Sequence, residues 1–396
     1  MTETDTSVRR QFLTLLVARG ASGLAQAAVL VLVARWMQVA DYGALMSWTG
    51  ILLVACGLAD VGISGYVLVE RPKGNADRVR RALRLNVLTS VGGAVLLGAI
   101  GFLAAPDALA LPFVLLAAAA FLEKNTDTLI HVAIADRDNL SPAVSILIRR
   151  LGNLALTPLL YLAGLDPAVA YGAGYVTVCA IAQWHARRVI TRSVEPGPLE
   201  GAWNVLRHSL RFMVELSAGQ ARMLDAAVVA AVSGGTTAGV YAAGTRLANP
   251  FVIVAGTLGN VLTPHVSRGD DARARSIARR LALGTAGLVV VAVPVAILVA
   301  PLVVLLLGER YAESADVFAW ALPAIVLIGM ATPFAGFLQA RGHATYVAIA
   351  AAANAVTLLT LVAIGAAWHG AASAAAGLAT AAVIYVSVLA VRALRV

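Results

Sequence analysis

The chain has 396 residues, of which 60% are hydrophobic and 13% charged, and its mean hydropathy is +0.83. A soluble domain carries about twice that charged fraction, so this composition excludes a water-soluble globular protein and predicts an integral membrane protein. The net charge of +9 does not indicate a nucleic-acid partner, because the basic residues stand in short clusters between apolar runs, as in the cytoplasmic loops of membrane proteins.

Apolar runs of about 20 residues recur along the chain and predict about twelve membrane-spanning helices. Short polar breaks separate them, and the boundaries are least distinct in the region 295–325, which follows Pro294 and contains Pro301. The predicted spans are 11–35, 42–69, 82–105, 108–132, 140–163, 168–186, 207–233, 236–264, 277–305, 313–339, 343–367 and 371–393.

The longest polar segment divides these spans into two sets of six. It runs TRSVEPGPLEGAW from Thr191 and has the proline and glycine residues typical of a linker. We therefore predict an N-terminal lobe at 1–190, a cytoplasmic linker at 191–202 and a C-terminal lobe at 203–396. Two lobes of six helices each would be related by a pseudo-two-fold axis along the membrane normal. The predicted fold class is thus an all-α integral membrane protein of two six-helix lobes.

The basic residues decide the orientation of the spans. Most of the 30 basic residues lie at the two termini or in the breaks that follow even-numbered spans, whereas the opposite breaks hold only Arg35 and Arg310. Cytoplasmic loops carry such an excess of arginine and lysine. The asymmetry predicts a multi-pass protein with both termini in the cytoplasm.

Several ionisable residues lie inside the predicted spans, where each costs several kcal/mol if it faces lipid. They are therefore expected to face a bundle interior or a wet cavity. The basic ones are Arg19, Lys124, Arg149, Arg150, Arg222 and Arg246, and the acidic ones are Asp60, Glu123, Asp127, Glu215 and Asp225.

The arginines form the candidate binding site. Arg19 and Arg149 lie about ten residues inside the predicted cytoplasmic face, or roughly 15 Å deep. With Arg150, Arg222 and Arg246 they are expected to form one ring near the midplane of the bilayer. A guanidinium group presents a rigid fork of donors that suits phosphate oxygens. The arginines, with their polar neighbours, predict a site for an anionic, phosphorylated substrate, and those neighbours are Gln26, Asn153 and Asn249.

A purely structural role for these charges is the alternative. Arg222 and Asp225 are three residues apart, so they can pair on one helix face, and Glu215 shares that face. Arg149, Arg150 and Arg246 have no acid one turn away, which favours a role in a cavity. The acids are also candidates for coupling a transport cycle to protons or cations, and they are Asp60, Glu123, Asp127, Glu215 and Asp225.

No sequence feature indicates covalent catalysis, so we expect neither an enzyme nor a cofactor. There is no nucleotide-binding loop. The six histidines are scattered at helix ends and do not cluster as metal ligands. Cys56 and Cys179 lie in apolar runs without the spacing of a metal site.

Three stretches resemble the polysaccharide (Wzx-type) flippases of the multidrug/oligosaccharidyl-lipid/polysaccharide (MOP) exporter superfamily. The first is ARWMQVADYGALMSWTGILLVACGLADVGISGYVLVERP at 34–72. The second is SGGTTAGVYAAGTRLANPFVIVAGTLGNVLTPHVSR at 233–268. The third runs from FLQARGHATYVAIAAAANAV at 337–356 into HGAASAAAGLATAAVIYV at 369–386. They occur in the order that the family shows, and the resemblance they mark extends over nearly the whole chain, from 34 to 386.

The resemblance implies two six-helix lobes around a central cavity that opens alternately to each side of the bacterial cytoplasmic membrane. It implies export of an undecaprenyl-diphosphate-linked oligosaccharide from the inner to the outer leaflet, with a polysaccharide polymerase or chain-length regulator as a partner. The related lipid II flippases line their cavity with arginines on the first, second and eighth helices. Arg19 and Arg246 match the first and eighth, whereas the second span has Asp60 and no basic residue near its middle.

Two other functions remain open from the sequence. One is a cation-coupled multidrug antiporter of the same superfamily, for which we would expect an acidic and aromatic cavity. Aromatic residues make up only 6% of this chain. The other is a non-transporting membrane subunit of a polysaccharide synthesis complex, which a dry core with every arginine paired to an acid would favour.

Overall fold

The structure is a computed structural model that describes residues 3–138, 140–190, 194, 203–210, 220–252 and 271–396, with side chains omitted before Gly20 and at 271–274. Within these residues the regular structure is helical and contains no strand. We number the helices α1 (Glu3–Trp36), α2 (Val39–Asp60), α3 (Ile63–Glu70), α4 (Ala76–Ala104), α5 (Ala110–Ala135), α6 (Leu140–Leu162), α7 (Pro167–Ile190), α8 (203–210), α9 (Asp225–Ala248), α10 (Asp271–Leu307), α11 (Ser314–Ala340) and α12 (Ala344–Arg395). The predicted all-α class is confirmed.

Seven of the described helical segments are long and apolar enough to cross a membrane. Their outer faces carry large exposed apolar side chains such as Leu103, Leu162 and Trp368, which are 83%, 80% and 76% exposed. Such a surface is compatible with lipid and not with water. Helix α5 is not among the seven, because every 18-residue stretch of it contains Glu123, Lys124 and Asp127.

Glycines with positive φ angles turn two of the long helices into hairpins. Gly234 has φ 85° inside α9, and Gly370 has φ 76° inside α12 after a non-helical His369. Only glycine adopts this region of φ without a steric penalty. Both turns lie at predicted breaks between spans, so the predicted boundaries at 233/236 and 367/371 are confirmed.

The predicted span at 42–69 is not one continuous helix. Val61 (φ 51°) and Gly62 (φ 76°) separate α2 from α3. The carboxylate of Asp60 accepts a hydrogen bond from the backbone N–H of Ser64 at 3.2 Å and one from its hydroxyl at 2.8 Å. It thereby accepts one of the free N–H groups at the start of α3, which stabilises the break.

Contacts between Cα atoms divide the chain into two compact units, which we call the first and the second unit. The first unit comprises Met1–Val29 and Trp48–Met223, and the second comprises Leu30–Ser47 and Leu224–Val396. This division differs from the predicted lobes, since it places Leu30–Ser47 with the C-terminal residues and ends the first unit at Met223. Except for Val194, the predicted linker at 191–202 lies outside the described residues.

Each unit is built around one central helix. In the first unit α5 packs against α3, α4, α6 and α7. In the second unit α11 packs against α9, α10 and α12. The central position of α5 explains how its charged residues are kept from lipid.

Glycines let two helices of the second unit approach until their backbones touch. A Cβ atom on Gly43 of α2 would collide with the backbone of Gly235 and Gly239 on α9, and a Cβ on Gly239 would collide with the carbonyl of Val39. Small residues four apart permit such close packing of membrane helices. The clash involves backbone atoms, which cannot move aside as a flexible side chain can.

We predict that Gly43→Ala lowers the free energy of unfolding by about 1–3 kcal/mol, because the two backbones must separate. Gly92→Ala is the matched control, since Gly92 is exposed on α4 and an added Cβ would meet nothing within 4 Å. It should be neutral or stabilising by up to about 1 kcal/mol through helix propensity. Chemical unfolding in detergent micelles measures both, and equal stability of the two variants would contradict the packing.

Candidate functional site

One face of α5 carries three ionisable residues at successive turns. Glu123, Asp127 and His131 are spaced four residues apart, so they project from the same side of the helix. All three line a cavity of about 640 Å³ within the first unit. The ring nitrogen Nδ1 of His131 is 2.6 Å from the backbone carbonyl of Asp127. Because a carbonyl only accepts, Nδ1 carries the hydrogen and Nε2 is the nitrogen left for other contacts.

The cavity is bounded by residues of α2, α3, α5, α6 and α7, together with Gln220. Its charged wall residues are of both signs, with three carboxylates against one lysine and one arginine. Its lining residues are Thr49, Leu52, Leu53, Cys56, Gly57, Asp60, Ser64, Gly65, Leu68, Leu116, Ala120, Glu123, Lys124, Asp127, His131, Arg150, Tyr175 and Gln220.

Arg149 of α6 is buried and fully engaged. Its side chain is 3% exposed, and its Nη1 donates to Oε1 of Glu123 at 2.8 Å while Nη2 contacts Oδ1 of Asp127 at 2.7 Å. Its Nε donates to the carbonyl of Ser145 at 3.3 Å. All three nitrogens of the guanidinium group therefore have protein partners.

Arg150, the next residue of α6, faces the cavity. Its Nη2 donates to Oε1 of Glu123 at 2.6 Å, and its Nη1 donates to Oε1 of Gln26 at 3.1 Å and to the hydroxyl of Tyr175 at 3.0 Å. The Tyr175 hydroxyl in turn donates to Oε2 of Glu123. One carboxylate thus receives donors from two guanidinium groups and a phenol.

Lys124 satisfies its ammonium group without a carboxylate. The side chain is buried, and Nζ donates to Oδ1 of Asn86 at 2.7 Å, to Thr89 at 2.8 Å and to Ser90 at 3.3 Å, all on α4. An ammonium group has three donors, and each of them has an acceptor here. Lys124 therefore belongs to a polar network between α5 and α4.

Asp60 has a structural role in the cavity wall. Besides capping α3, its Oδ1 lies 3.3 Å from the hydroxyl of Thr128. Thr128 also contacts Oδ1 of Asn86 at 3.1 Å. These hydrogen bonds connect the break between α2 and α3 to the polar residues that bind Lys124.

The second unit contains its own buried ion pair. Arg246 donates to Oδ1 of Asp225 at 3.3 Å, and the two side chains are 10% and 8% exposed. The hydroxyl of Tyr241 lies 3.3 Å from Oδ2 of the same carboxylate. The pair joins the two arms of the α9 hairpin, on either side of the turn at Gly234.

The structure brings Gln26, Glu123, Asp127, Arg149 and Arg150 into one cluster, and Asp60 lines the same cavity. Among the remaining predicted residues, the side chain of Arg19 and all of Glu215 lie outside the described residues. Arg222 lies in the 3-10 turn Ala221–Leu224, and Asn249 ends α9. A single midplane ring of arginines stays a prediction.

Two details depart from the sequence-based expectation. Arg149, Arg150 and Arg246 have no acid one turn away, yet each pairs with an acid of a different helix or hairpin arm. Asn153 is buried away from the cavity wall, where Oδ1 accepts a hydrogen bond from Thr157 at 2.9 Å and Nδ2 has no partner among the described atoms. Sequence spacing detects only partners on the same helix.

Sequence reasoning missed Tyr175 and His131 as residues of the cavity wall. Tyr175 follows Tyr171 by one turn on α7, and the two rings stack at 6.0 Å. An aromatic pair with polar tips inside an apolar span was the available signal. His131 was interpreted as one of several scattered histidines, although its spacing from Glu123 and Asp127 places all three on one face.

The chain is similar in part to one known family and over all or nearly all of its length to several solved structures. Residues 186–316, about a third of the chain, match a family model described as a polysaccharide biosynthesis protein. No curated protein sequence matches the chain. The structure is similar to a mutant MATE transporter from Vibrio cholerae, with 15% sequence identity, a TM-score of 0.67 and coverage of 100% of this chain and 98% of that one.

Two further solved structures are similar over almost the whole chain. One is an inward-facing multidrug resistance MATE transporter of the MOP superfamily, with 16% identity, a TM-score of 0.66 and coverage of 96% and 94%. The other is a MOP superfamily transporter from Pyrococcus furiosus, described as having a binding pocket of reverse polarity that suggests a different function, with 16% identity, a TM-score of 0.65 and coverage of 97% and 94%. The chain therefore has the fold of MOP superfamily transporters, which confirms the superfamily fold predicted from sequence.

We predict that Arg246→Met destabilises the protein by about 3–5 kcal/mol, because it leaves the buried carboxylate of Asp225 without its counter-ion. The double variant Arg246→Met/Asp225→Asn should recover most of that loss, since no unpaired charge remains. Chemical unfolding in micelles measures both variants. A double variant as unstable as the single one would show that the ion pair is not the source of the effect.

Proposed function

We propose that this protein is a flippase that carries an undecaprenyl-diphosphate-linked oligosaccharide from the inner to the outer leaflet of the bacterial cytoplasmic membrane by alternating access. The observation that carries the proposal is the adjacent pair Arg149 and Arg150, held against Glu123 at the edge of a cavity with ionisable wall residues. A membrane protein retains such groups at depth when they serve a ligand or a transport cycle.

The chemistry of the cavity suits a charged, hydrated headgroup. Its volume of about 640 Å³ lies within the roughly 300–1,000 Å³ of ligand pockets. The Arg150 side chain is 24% exposed and reaches the cavity, where its fork of donors can take two phosphate oxygens. Neutralising the diphosphate lowers the electrostatic barrier that otherwise blocks its passage through hydrocarbon. The polyprenyl chain needs no such site, because it is as apolar as the lipid around it.

The match to a polysaccharide biosynthesis model supports a glycan-linked substrate. In this proposal both termini are cytoplasmic, as the basic loops predict. The chemistry of the product also defines the class of partner: an enzyme that consumes a lipid-linked oligosaccharide at the outer leaflet, such as a polysaccharide polymerase with its chain-length regulator.

A cation-coupled multidrug antiporter is the second candidate, and the carboxylates of the cavity favour it. Asp60, Glu123 and Asp127 all line the wall, and similar structures include multidrug MATE transporters. However, Glu123 is already neutralised by two arginines, and Asp60 caps a helix. The carboxylates therefore offer a cationic drug less net attraction than their number suggests.

A non-transporting scaffold is the third candidate. It would explain why Arg149, Arg150 and Arg246 are each paired with an acid. It gives no reason for a cavity of this size with ionisable walls inside one unit, because polar surfaces without a ligand cost free energy to maintain in a membrane core.

We predict that Arg150→Ala slows the transfer of a fluorescent lipid-linked oligosaccharide across proteoliposome membranes by about tenfold or more, because one charge-assisted contact to the diphosphate is lost. Arg188→Ala is the matched control, since Arg188 stacks on Trp184 at an exposed site outside the cavity wall. It should transport at the wild-type rate.

Equal rates for the two variants would contradict the assignment of Arg150 to the substrate. Transport of a cationic dye, with no transfer of the lipid-linked glycan by the wild-type protein, would favour the antiporter. No transport of either compound would favour the scaffold.

A further inference from the structure

The donors around Glu123 form a cradle for an anion. Oε1 accepts from Nη1 of Arg149 at 2.8 Å and from Nη2 of Arg150 at 2.6 Å, while Oε2 accepts from the hydroxyl of Tyr175. Two guanidinium groups and a phenol converge on two oxygens that share one negative charge. The same donor set fits a phosphate group, which also presents several oxygens with shared charge.

We propose that Glu123 occupies the position of the substrate's diphosphate, and that the incoming anion displaces this carboxylate, which takes up a proton as it leaves. The inference rests on the proposed function, because it assigns the diphosphate to this cradle. Glu123 then serves as the internal counter-ion of the empty protein. Each arginine therefore has a negatively charged partner both in the empty protein and in the complex with the anion.

The cradle keeps its shape when Glu123 leaves. Arg149 retains Asp127 at 2.7 Å and the carbonyl of Ser145 at 3.3 Å. Arg150 retains Gln26 at 3.1 Å and Tyr175 at 3.0 Å. The guanidinium groups are therefore held in place by contacts other than the one to be replaced, and a site organised in advance loses little free energy on binding.

The arginines differ in their access to the ligand. The Arg149 side chain is 3% exposed, whereas those of Arg150 and Glu123 are 24% and 14% exposed and line the cavity. Of the two arginines, an anion entering from the cavity meets Arg150 first. Arg150 is therefore the arginine at which the anion first replaces the carboxylate of Glu123. Arg149 is buried and holds the cradle in shape.

A displaced Glu123 carboxylate gives up both guanidinium partners to the anion, and this loss of its ion pairs favours its protonation. The charged and titratable groups around it are Cys56 and Asp60 from α2, Lys124, Asp127 and His131 from α5, Arg149 and Arg150 from α6, and Tyr171, Tyr175 and Cys179 from α7. Lys124 has no donor to spare, since its three N–H groups are bound by α4. With both arginines engaged by the ligand and by Asp127, a proton is the available counter-charge.

Anion binding and proton uptake consequently strengthen each other. The ion pairs keep the carboxylate of Glu123 charged in the empty protein, and their loss raises its affinity for a proton. By reciprocity, lowering the pH must raise the affinity for the anion. The proton binds a carboxylate oxygen of Glu123, and the phosphate oxygens replace that carboxylate on the guanidinium groups.

Titration calorimetry of the purified full-length protein tests whether the anion replaces the carboxylate of Glu123. The probe is dimethyl diphosphate, with one methyl ester on each phosphorus, whose two charges stay constant between about pH 5 and pH 8. Titrations in buffers of different ionisation enthalpy count the protons. The wild-type protein should take up about one proton per bound anion and bind more tightly as the pH falls.

Glu123→Gln removes the competing charge. This variant should bind the probe about tenfold more tightly near pH 8, with no proton uptake and little dependence on pH. Asp60→Asn removes a carboxylate from the same cavity, but that carboxylate is held by Ser64 and Thr128 and not by an arginine. It should retain the proton uptake of the wild type.

Two results would contradict the replacement of Glu123 by the anion. One is binding by the wild type without proton uptake together with an unchanged affinity in Glu123→Gln. The other is a failure of Glu123→Gln to bind the probe at all. Transfer of the lipid-linked glycan, measured on the same preparations, separates these results from a failure of the proposed function, since transport could persist with the diphosphate bound elsewhere.

Discussion

The cost of an ionised group inside a membrane governs this structure. Each buried charge must find a counter-ion or a full set of hydrogen bonds, because lipid offers neither. In the first unit that requirement places the charged helix α5 at the centre, where α3, α4, α6 and α7 surround it. Glu123 and Asp127 then meet the arginines of α6, and Lys124 meets the hydroxyl and amide groups of α4. Apolar side chains of α4 such as Val95 and Leu103 need no such position and face outward.

Hydrophobic patterning predicted most of the helices, because the length of a span follows from the thickness of the bilayer. The breaks at Gly234 and at His369–Gly370 were visible as small or polar residues between long apolar runs. The break at Val61–Gly62 was not, since valine rarely adopts a positive φ and a single carboxylate, Asp60, does not end an apolar run. Only the contacts of Asp60 with Ser64 explain why the chain turns there.

The candidate site was only partly predictable for a related reason. Because an ionised side chain is costly to bury in a membrane, the sequence indicated that four residues must have partners or face a cavity: Glu123, Asp127, Arg149 and Arg150. Their pairing depends on how α5 packs against α6, and residues more than 20 positions apart in sequence carry no visible register. The spacing of Tyr171 and Tyr175 was only a weak signal, because a tyrosine in an apolar span is ordinary until its hydroxyl is seen between an arginine and a glutamate.

The pairing of the arginines also connects stability with transport. A guanidinium group that is neutralised by an internal carboxylate can remain buried in the empty protein, and the same group can receive an external anion if the carboxylate is replaced. The protein then exchanges one counter-ion for another and never exposes a bare charge to low dielectric. On this account Arg149, Asp127 and Gln26 fix the geometry, and Glu123 is the member of the cluster that moves.

A double-mutant cycle between Glu123 and Arg150 tests that claim most directly. The free energies of unfolding of the wild type, Glu123→Gln, Arg150→Gln and the double variant, measured in micelles, give the coupling between the two side chains. Because the two side chains form a largely buried counter-ion pair, we expect a coupling of about 2–3 kcal/mol. The double variant should then be more stable than the sum of the two single losses implies. A coupling below about 0.5 kcal/mol would show that Glu123 does not neutralise Arg150, and the account would fail.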